Sequence, residues 1–535
     1  VAEPEGRAWC SRPLADVEIR EPFGSGPCRM PSVNHVLCGL AANAALPSEL
    51  LDRLIAVADA DIAADLARRA DLSPAQAVAL ASRDEDSAVG LVHAGRLTAA
   101  DIDPVAQPQA ALALLDEAVH SPEWARLFAT DQDVERREKL ATCPGLPSDA
   151  VETLAEDPDV RVVVELASWT TPDVAARLAT HPHAEVRRAV AANEATHPAV
   201  LAALITGEGL PPAQRCLVCD REETPFVHDP QCPRPDCDLL PGASCDGSHE
   251  STTHNIRQAA LRNPATPTEA VVGFADHPSM LLRWALAARP DLPPEACERL
   301  AVDPVAGVRA DLAENPAIGE ALIHVLAGDR DHAVRRRLAH NPRVPLDVLT
   351  RLAGTAKIGA AVLPRIAAAS PGEVEELAQS PNPAARMLVA RRRDLPAGIR
   401  DALATDPDAK VVRSVAAHPG LSETQLRAMV ERHGAQVVAE AAANPEAPPA
   451  LLEDLARHEP PVRKVFREVA RHRNATAAAL LACMADERAR PVAAGHPALP
   501  PQVIVELLTD DDWQVVEAAA ANPSLPLAVM SDLVP

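Results

Sequence analysis

Five cysteines fall between residues 216 and 245 of a chain that holds eleven in all. Cys216 and Cys219 have two residues between them, a spacing that turns both thiolates onto one ion, and Cys232 and Cys237 offer a second pair after twelve intervening residues. This is the pattern of a tetrahedral zinc site, with a second gap slightly wider than in the usual knuckle. Further on, Cys245-Asp246-Gly247-Ser248-His249 adds a thiol and an imidazole, which makes Cys245 and His249 alternative ligands. His228 and His254 lie in the same stretch and read more simply as solvated loop histidines. Beyond Phe226, Val227, Leu239 and Leu240 the stretch has few large apolar residues, so it needs a cross-link in place of a core. A structural zinc closed by four protein ligands is the first choice, and an iron–sulfur cluster is the alternative.

The elements that position these ligands are announced by proline. Asn263-Pro264 returns as Arg289-Pro290, Asn315-Pro316 and Asn341-Pro342, and later as His418-Pro419, Asn444-Pro445, His496-Pro497 and Asn522-Pro523, mostly in steps of 26 residues. A second set, Asp157-Pro158, His181-Pro182, His277-Pro278, Asp303-Pro304 and Asp406-Pro407, runs half a period out of phase. Each proline-marked start predicts a short helix: the polar side chain caps free amides and proline supplies a preset φ. Within 263–289 the first helix is predicted to begin near Pro267, with Val271, Val272 and Phe274 on its apolar face. His277-Pro278 starts the second, with Leu281, Leu282, Ala285 and Leu286. Helices of two to three turns are unstable alone in water, so they must stack. Without sustained alternation or Asn-Gly turns, sheet content is predicted to be minimal. The fold class is all-α, an α-solenoid.

Composition narrows the function. Aromatics are 2% of residues, with no Tyr, so the core must be Ala, Leu and Val. A formal net charge of -25 opposes non-specific nucleic-acid binding, which depends on neutralising phosphates. No long charge-free apolar run predicts a membrane span, and the first residues lack a secretory pattern; a cytoplasmic location is the expectation. An arginine recurs in the second helix of the unit, at Arg161, Arg187, Arg283, Arg309, Arg335, Arg413 and Arg463. Pairing with a carboxylate near the helix start, such as Asp303 with Arg309, is the plain reading, and a guanidinium stripe for an acidic partner is the sharper one. Cys143, Cys297 and Cys483 read as small core residues. The histidines before proline read as helix-start residues. Trp124, Trp169, Trp284 and Trp513 read first as buried between helices and second as partner anchors.

Asn263-Pro264 through Pro267, Asp303-Pro304 through Val308-Arg309, and Asn341-Pro342 through Leu352-Ala353 resemble the units of the leucine-rich repeat variant family. The resemblance implies a right-handed superhelix of alternating α- and 3₁₀-helices and no reaction. Some members carry an iron–sulfur cluster in an N-terminal cysteine-rich domain. Here the cysteine-rich piece lies inside the array, and Cys10, Cys28 and Cys38 are too loosely spaced to match it. The string Cys245 to His249 also resembles the signature of CDGSH iron–sulfur proteins, which implies a 2Fe-2S cluster on three Cys and one His, although the preceding Cys-x-Cys is absent. The expected organisation is an N-terminal segment, 1–36; a helical-repeat array, 37–205; a Cys/His-rich metal-binding insertion, 206–256; and the array continued, 257–535. No nucleotide-binding loop, nucleophile elbow or His-Glu-x-x-His zinc motif occurs, so the expectation is a non-enzymatic scaffold that binds another protein. The alternatives are an iron–sulfur redox or metal-sensing protein and a nucleic-acid-binding helical repeat.

Overall fold

The computed structural model describes residues 34–535 except 120, 222–225, 229–242, 248 and 360. Among these residues it contains 36 α-helices and a single pairing of two-residue strands, Phe226–Val227 with Ser244–Cys245. The all-α solenoid is thus the fold, and 3₁₀ helix is confined among the described residues to Val272–Asp276 and Gly434–Gln436.

The repeat in sequence becomes a repeat in bonding. Asn263, Asn315, Asn341, Asn444 and Asn522 are buried before their prolines, whereas the exposed Asn382 caps helix Pro383–Ala390. The Oδ1 of each buried asparagine accepts the N–H two residues on, as Asn315 does from Ala317 at 2.8 Å. Its Nδ2 reaches back one unit and donates to two carbonyls that the preceding helix end leaves free. Asn315 bonds Ala287 O (2.7 Å) and Arg289 O (2.6 Å), and Asn341 bonds Ala313 O (2.9 Å) and Asn315 O (2.8 Å). The asparagine is therefore a clamp between units rather than the helix cap predicted for it, and the helix after Asn263 begins at Thr268 with Pro267 in the capping position. Burying carbonyls without donors would cost about 1–3 kcal/mol each, which is why a side chain with two amide hydrogens recurs there. Other donors fill the same slot. Arg289 donates to Leu261 O and Asn263 O, while His496 donates through Nε2 to His472 O.

The recurring arginines form a second link. Arg309 holds Asp329 of the next unit through two bonds of 2.7 and 3.0 Å, and donates to the backbone oxygen of Asp303. The expected partner, the Asp303 carboxylate, is taken instead by Arg283 of the preceding unit (2.6 Å). The same 20-residue step joins Arg137 to Asp157 and Arg386 to Asp406. The guanidinium groups of Arg137, Arg283, Arg309 and Arg386 are nearly buried and already paired, so they offer nothing to an acidic partner, whereas Arg161, Arg413 and Arg463 of the recurring set are exposed.

Apolar side chains from Leu37 to Val534 form one continuous core that includes Cys143, Cys297 and Cys483. Second helices pack along the row unit by unit. Across the irregular stretch 356–370, continuity passes through Leu346–Thr355 onto Pro383–Ala390. The row then returns to its start. Helix Trp513–Ala520 packs on His35–Ala42 as closely as interior neighbours do, and Asn43 clamps Ala520 O (2.9 Å) and Asn522 O (2.8 Å). The solenoid is a closed ring. Among the described residues no helix is long and apolar enough to cross a membrane.

Candidate metal centre

Helix Ala184–Ala192 and helix Glu250–Arg262 are neighbours in the row although 57 residues separate them in sequence, from 193 to 249. Asn263 clamps Ala191 O (3.0 Å) and Asn193 O (2.9 Å), so the array runs on beneath the cysteine-rich stretch. That stretch is tied to the array edge. Gln214 N donates to Pro182 O, Ala184 N donates to Arg215 O, and the Asp220 carboxylate lies 3.0 Å from His183 Nε2 and 2.9 Å from Arg215 Nε. His183 Nδ1 accepts the N–H of Glu185, which places the imidazole proton on Nε2, facing Asp220. Burial pushes the His183 imidazole below its usual range, against the opposite pull of Asp220.

On this base the ligands converge from two arms. Cys216 precedes helix Leu217–Arg221 and Cys219 lies within it, and their sulfurs stand 3.6 Å apart. The strand Ser244–Cys245 and the turn after it carry Cys245 and His249. Cys245 Sγ is 3.7 Å from Cys216 Sγ, and His249 Nδ1 is 3.6 Å from Cys245 Sγ and 3.8 Å from Cys219 Sγ. All four donor atoms lie within 4.8 Å of one another. Three of the four residues are buried, and Cys219 is half-buried.

The backbone supports the sulfurs. Cys216 N–H donates to Cys219 Sγ at 3.2 Å, and Gly247 N–H donates to Cys245 Sγ at 3.4 Å, bonds that favour thiolates. Gly247 has φ +93°, which turns its amide back towards the sulfur. His249 has φ 54°, a left-handed conformation uncommon for a side-chain-bearing residue, in the capping position of helix Glu250–Arg262. Burial pushes the Cys216 thiol up to about 11, so a cation must supply what water no longer does if it is to ionise at neutral pH.

The structure thus brings together Cys216, Cys219, Cys245 and His249. Cys232 and Cys237 lie outside the described residues, as do Cys10 and Cys28. His228 is buried but is not one of the four, and His254 bonds Ser279 Oγ at 2.7 Å, which ties its helix to the next unit. The signal that joins Cys216 to Cys245 across 29 residues is the paired strand Phe226–Val227, too short to stand out in sequence.

The tryptophans divide. Trp124 is packed against the core, and Trp284 lies over Gly307 with its indole N–H on Asp311 (2.5 Å). Trp513 is 44% exposed and stacks on His35, whereas Trp169 is 70% exposed.

No protein-family model matches the chain, and no curated protein matches it. Among solved structures, the crystal structure of an engineered protein is similar at 14% identity over 91% of this chain and 98% of that chain, with a TM-score of 0.16. A superposition that poor supports no conclusion about fold or function.

Proposed function

We propose that this protein is a non-enzymatic, protein-binding scaffold of the leucine-rich-repeat-variant type, with a structural zinc ion held by Cys216, Cys219, Cys245 and His249. The observation that carries the metal assignment is the spacing of the donor atoms. A tetrahedral zinc with Zn–S of about 2.3 Å and Zn–N of about 2.0–2.1 Å sets sulfurs about 3.8 Å apart and sulfur and nitrogen about 3.6 Å apart. Four of the six donor–donor distances here run from 3.6 to 3.8 Å, and all six lie within 4.8 Å. Ligands divided between two irons would stand farther apart than ligands of one ion. Four protein donors leave no position for substrate, as in a structural site.

The second reading, a 2Fe-2S redox or sensing centre, is favoured by the three-cysteine, one-histidine composition of the cluster, the set implied by the CDGSH resemblance. Metal analysis and an absorption spectrum of protein purified without oxygen test both. We expect about one zinc per chain and a colourless protein, with zinc lost in Cys245→Ala and in His249→Ala. Iron with sulfide and a brown colour would replace zinc by the redox reading.

Support for the scaffold is the exposed indole of Trp169 in a chain with 2% aromatics. Exposed tryptophan often dominates interface energy. Affinity capture with the wild type and with Trp169→Ala should differ by the loss of a specific protein; identical captures would remove Trp169 as an anchor. Binding of DNA or RNA that weakens with salt would favour the nucleic-acid alternative, against which the net charge argues.

A further inference from the structure

We infer that the contact between residues 35–57 and 513–535 is the opening point of the ring, a self-docking interface whose two faces part and rejoin without unfolding of the units that carry them.

The contact has the chemistry of an interior joint. Asn43 clamps two carbonyls of the last unit, and helix His35–Ala42 lays Leu37, Cys38, Leu40 and Ala41 into the continuous core. Gly39 fits only because it lacks a side chain: a Cβ there would stand 2.6 Å from Ala520 Cβ and would also meet Glu517 O. Arg53 then donates to Val534 O and, at 3.2 Å, to Pro535 O.

One feature sets it apart. Interior neighbours are delivered to each other by the chain between them, mostly a short linker and 57 residues at the cysteine-rich stretch, whereas the atoms joined here are 477 residues apart in sequence, so complementarity alone holds them. Its periphery also lacks a link that some, not all, interior joints have, as Val438 before Asn444 shows. The position six residues before the clamp asparagine, which holds Arg309 before Asn315, is Val516 before Asn522, so the buried arginine that links several interior joints is missing. In its place His35 stacks at 5.0 Å on Trp513, which is 44% exposed, and its buried Nδ1 stands 3.6 Å from the buried Oε2 of Glu517. An interface with intact clamps but no linker separates before its interior counterparts, which the chain itself holds together.

Small-angle scattering of the full chain with far-UV circular dichroism tests this. Gly39→Leu should increase the radius of gyration and the maximum dimension while the helical signal stays at the wild-type level. Asn341→Ala, which removes the equivalent clamp inside the array, should leave both dimensions unchanged. The inference is overturned if Gly39→Leu keeps wild-type dimensions, if expansion and helix loss occur together, or if the wild type already scatters as an open arc. Should Gly39→Leu not accumulate as folded protein, Asn43→Ala with hydrogen exchange takes its place. Amides 37–42 should then exchange at least about tenfold faster with amides 280–287 unchanged, and equal acceleration of both sets would overturn the inference.

Discussion

At the candidate metal centre, three sulfurs and one imidazole nitrogen come from residues that lie far apart in sequence, and each arrives with its own support. Gly247 aims an amide at Cys245, and Asp220, next to Cys219, grips His183 on the array. Removing the metal should therefore be felt first where His249 starts its helix. On chelation, amides 250–262 should exchange about tenfold faster or more, while amides 280–287 keep their rates, because solenoid units depend mainly on their nearest neighbours. A second single-residue test lies at Gly307, where an added methyl would meet the Trp284 ring at 2.8 Å. Gly307→Ala should lower stability by about 1–3 kcal/mol in urea unfolding. The pair Cys216 and Cys219 was legible in sequence because two-residue spacing is itself a local geometry. The company of Cys245 and His249 was not, since it depends on a two-residue strand pairing.

Between elements, stability rests on a donor that reaches back one unit. Asn341→Ala leaves the carbonyls of Ala313 and Asn315 buried without that amide and should cost about 2–4 kcal/mol. Asn341→His should cost less, because histidine already serves one such carbonyl at His496. His418 occupies the same slot, buried, with its imidazole pushed down to about 4 by burial, to which Arg393 and Arg400 add. The unfolded chain binds this proton near 6.5, so the folded state binds fewer protons between the two values. Its contribution is thus complete above about pH 6.5 and is lost as pH falls towards 4, on the order of 3 kcal/mol. His418→Asn should flatten the fall in Tm between pH 6.5 and 4. The recurrence of Asn, Arg and His before proline was plain in sequence. Its purpose was hidden, because a cap is satisfied within three residues and these bonds reach carbonyls 26 and 28 residues back. The arginine ladder misled in the same way, since Asp303 sits six residues from Arg309 in sequence but in space serves the unit before it.

For the whole molecule, period and apolar grammar made the all-α array legible over 37–205 and 257–535. Closure was not legible, because it is the sum of many small rotations between units, none of which leaves a mark on any one repeat. Only the result is visible, in Asn43 finding Asn522 where every other clamp finds the unit just made. This has a consequence for synthesis. As the ribosome releases the chain from its N-terminus, each new unit covers the sticky flank of the one before, yet helix His35–Ala42 meets its partner Trp513–Ala520 only when nearly five hundred more residues have been made. Through that interval the nascent chain carries an oily patch of Leu37, Leu40 and Ala41 that fits the trailing edge of any sibling on the same message. Slow translation or crowded polysomes should therefore favour strings of chains joined head to tail over single closed molecules.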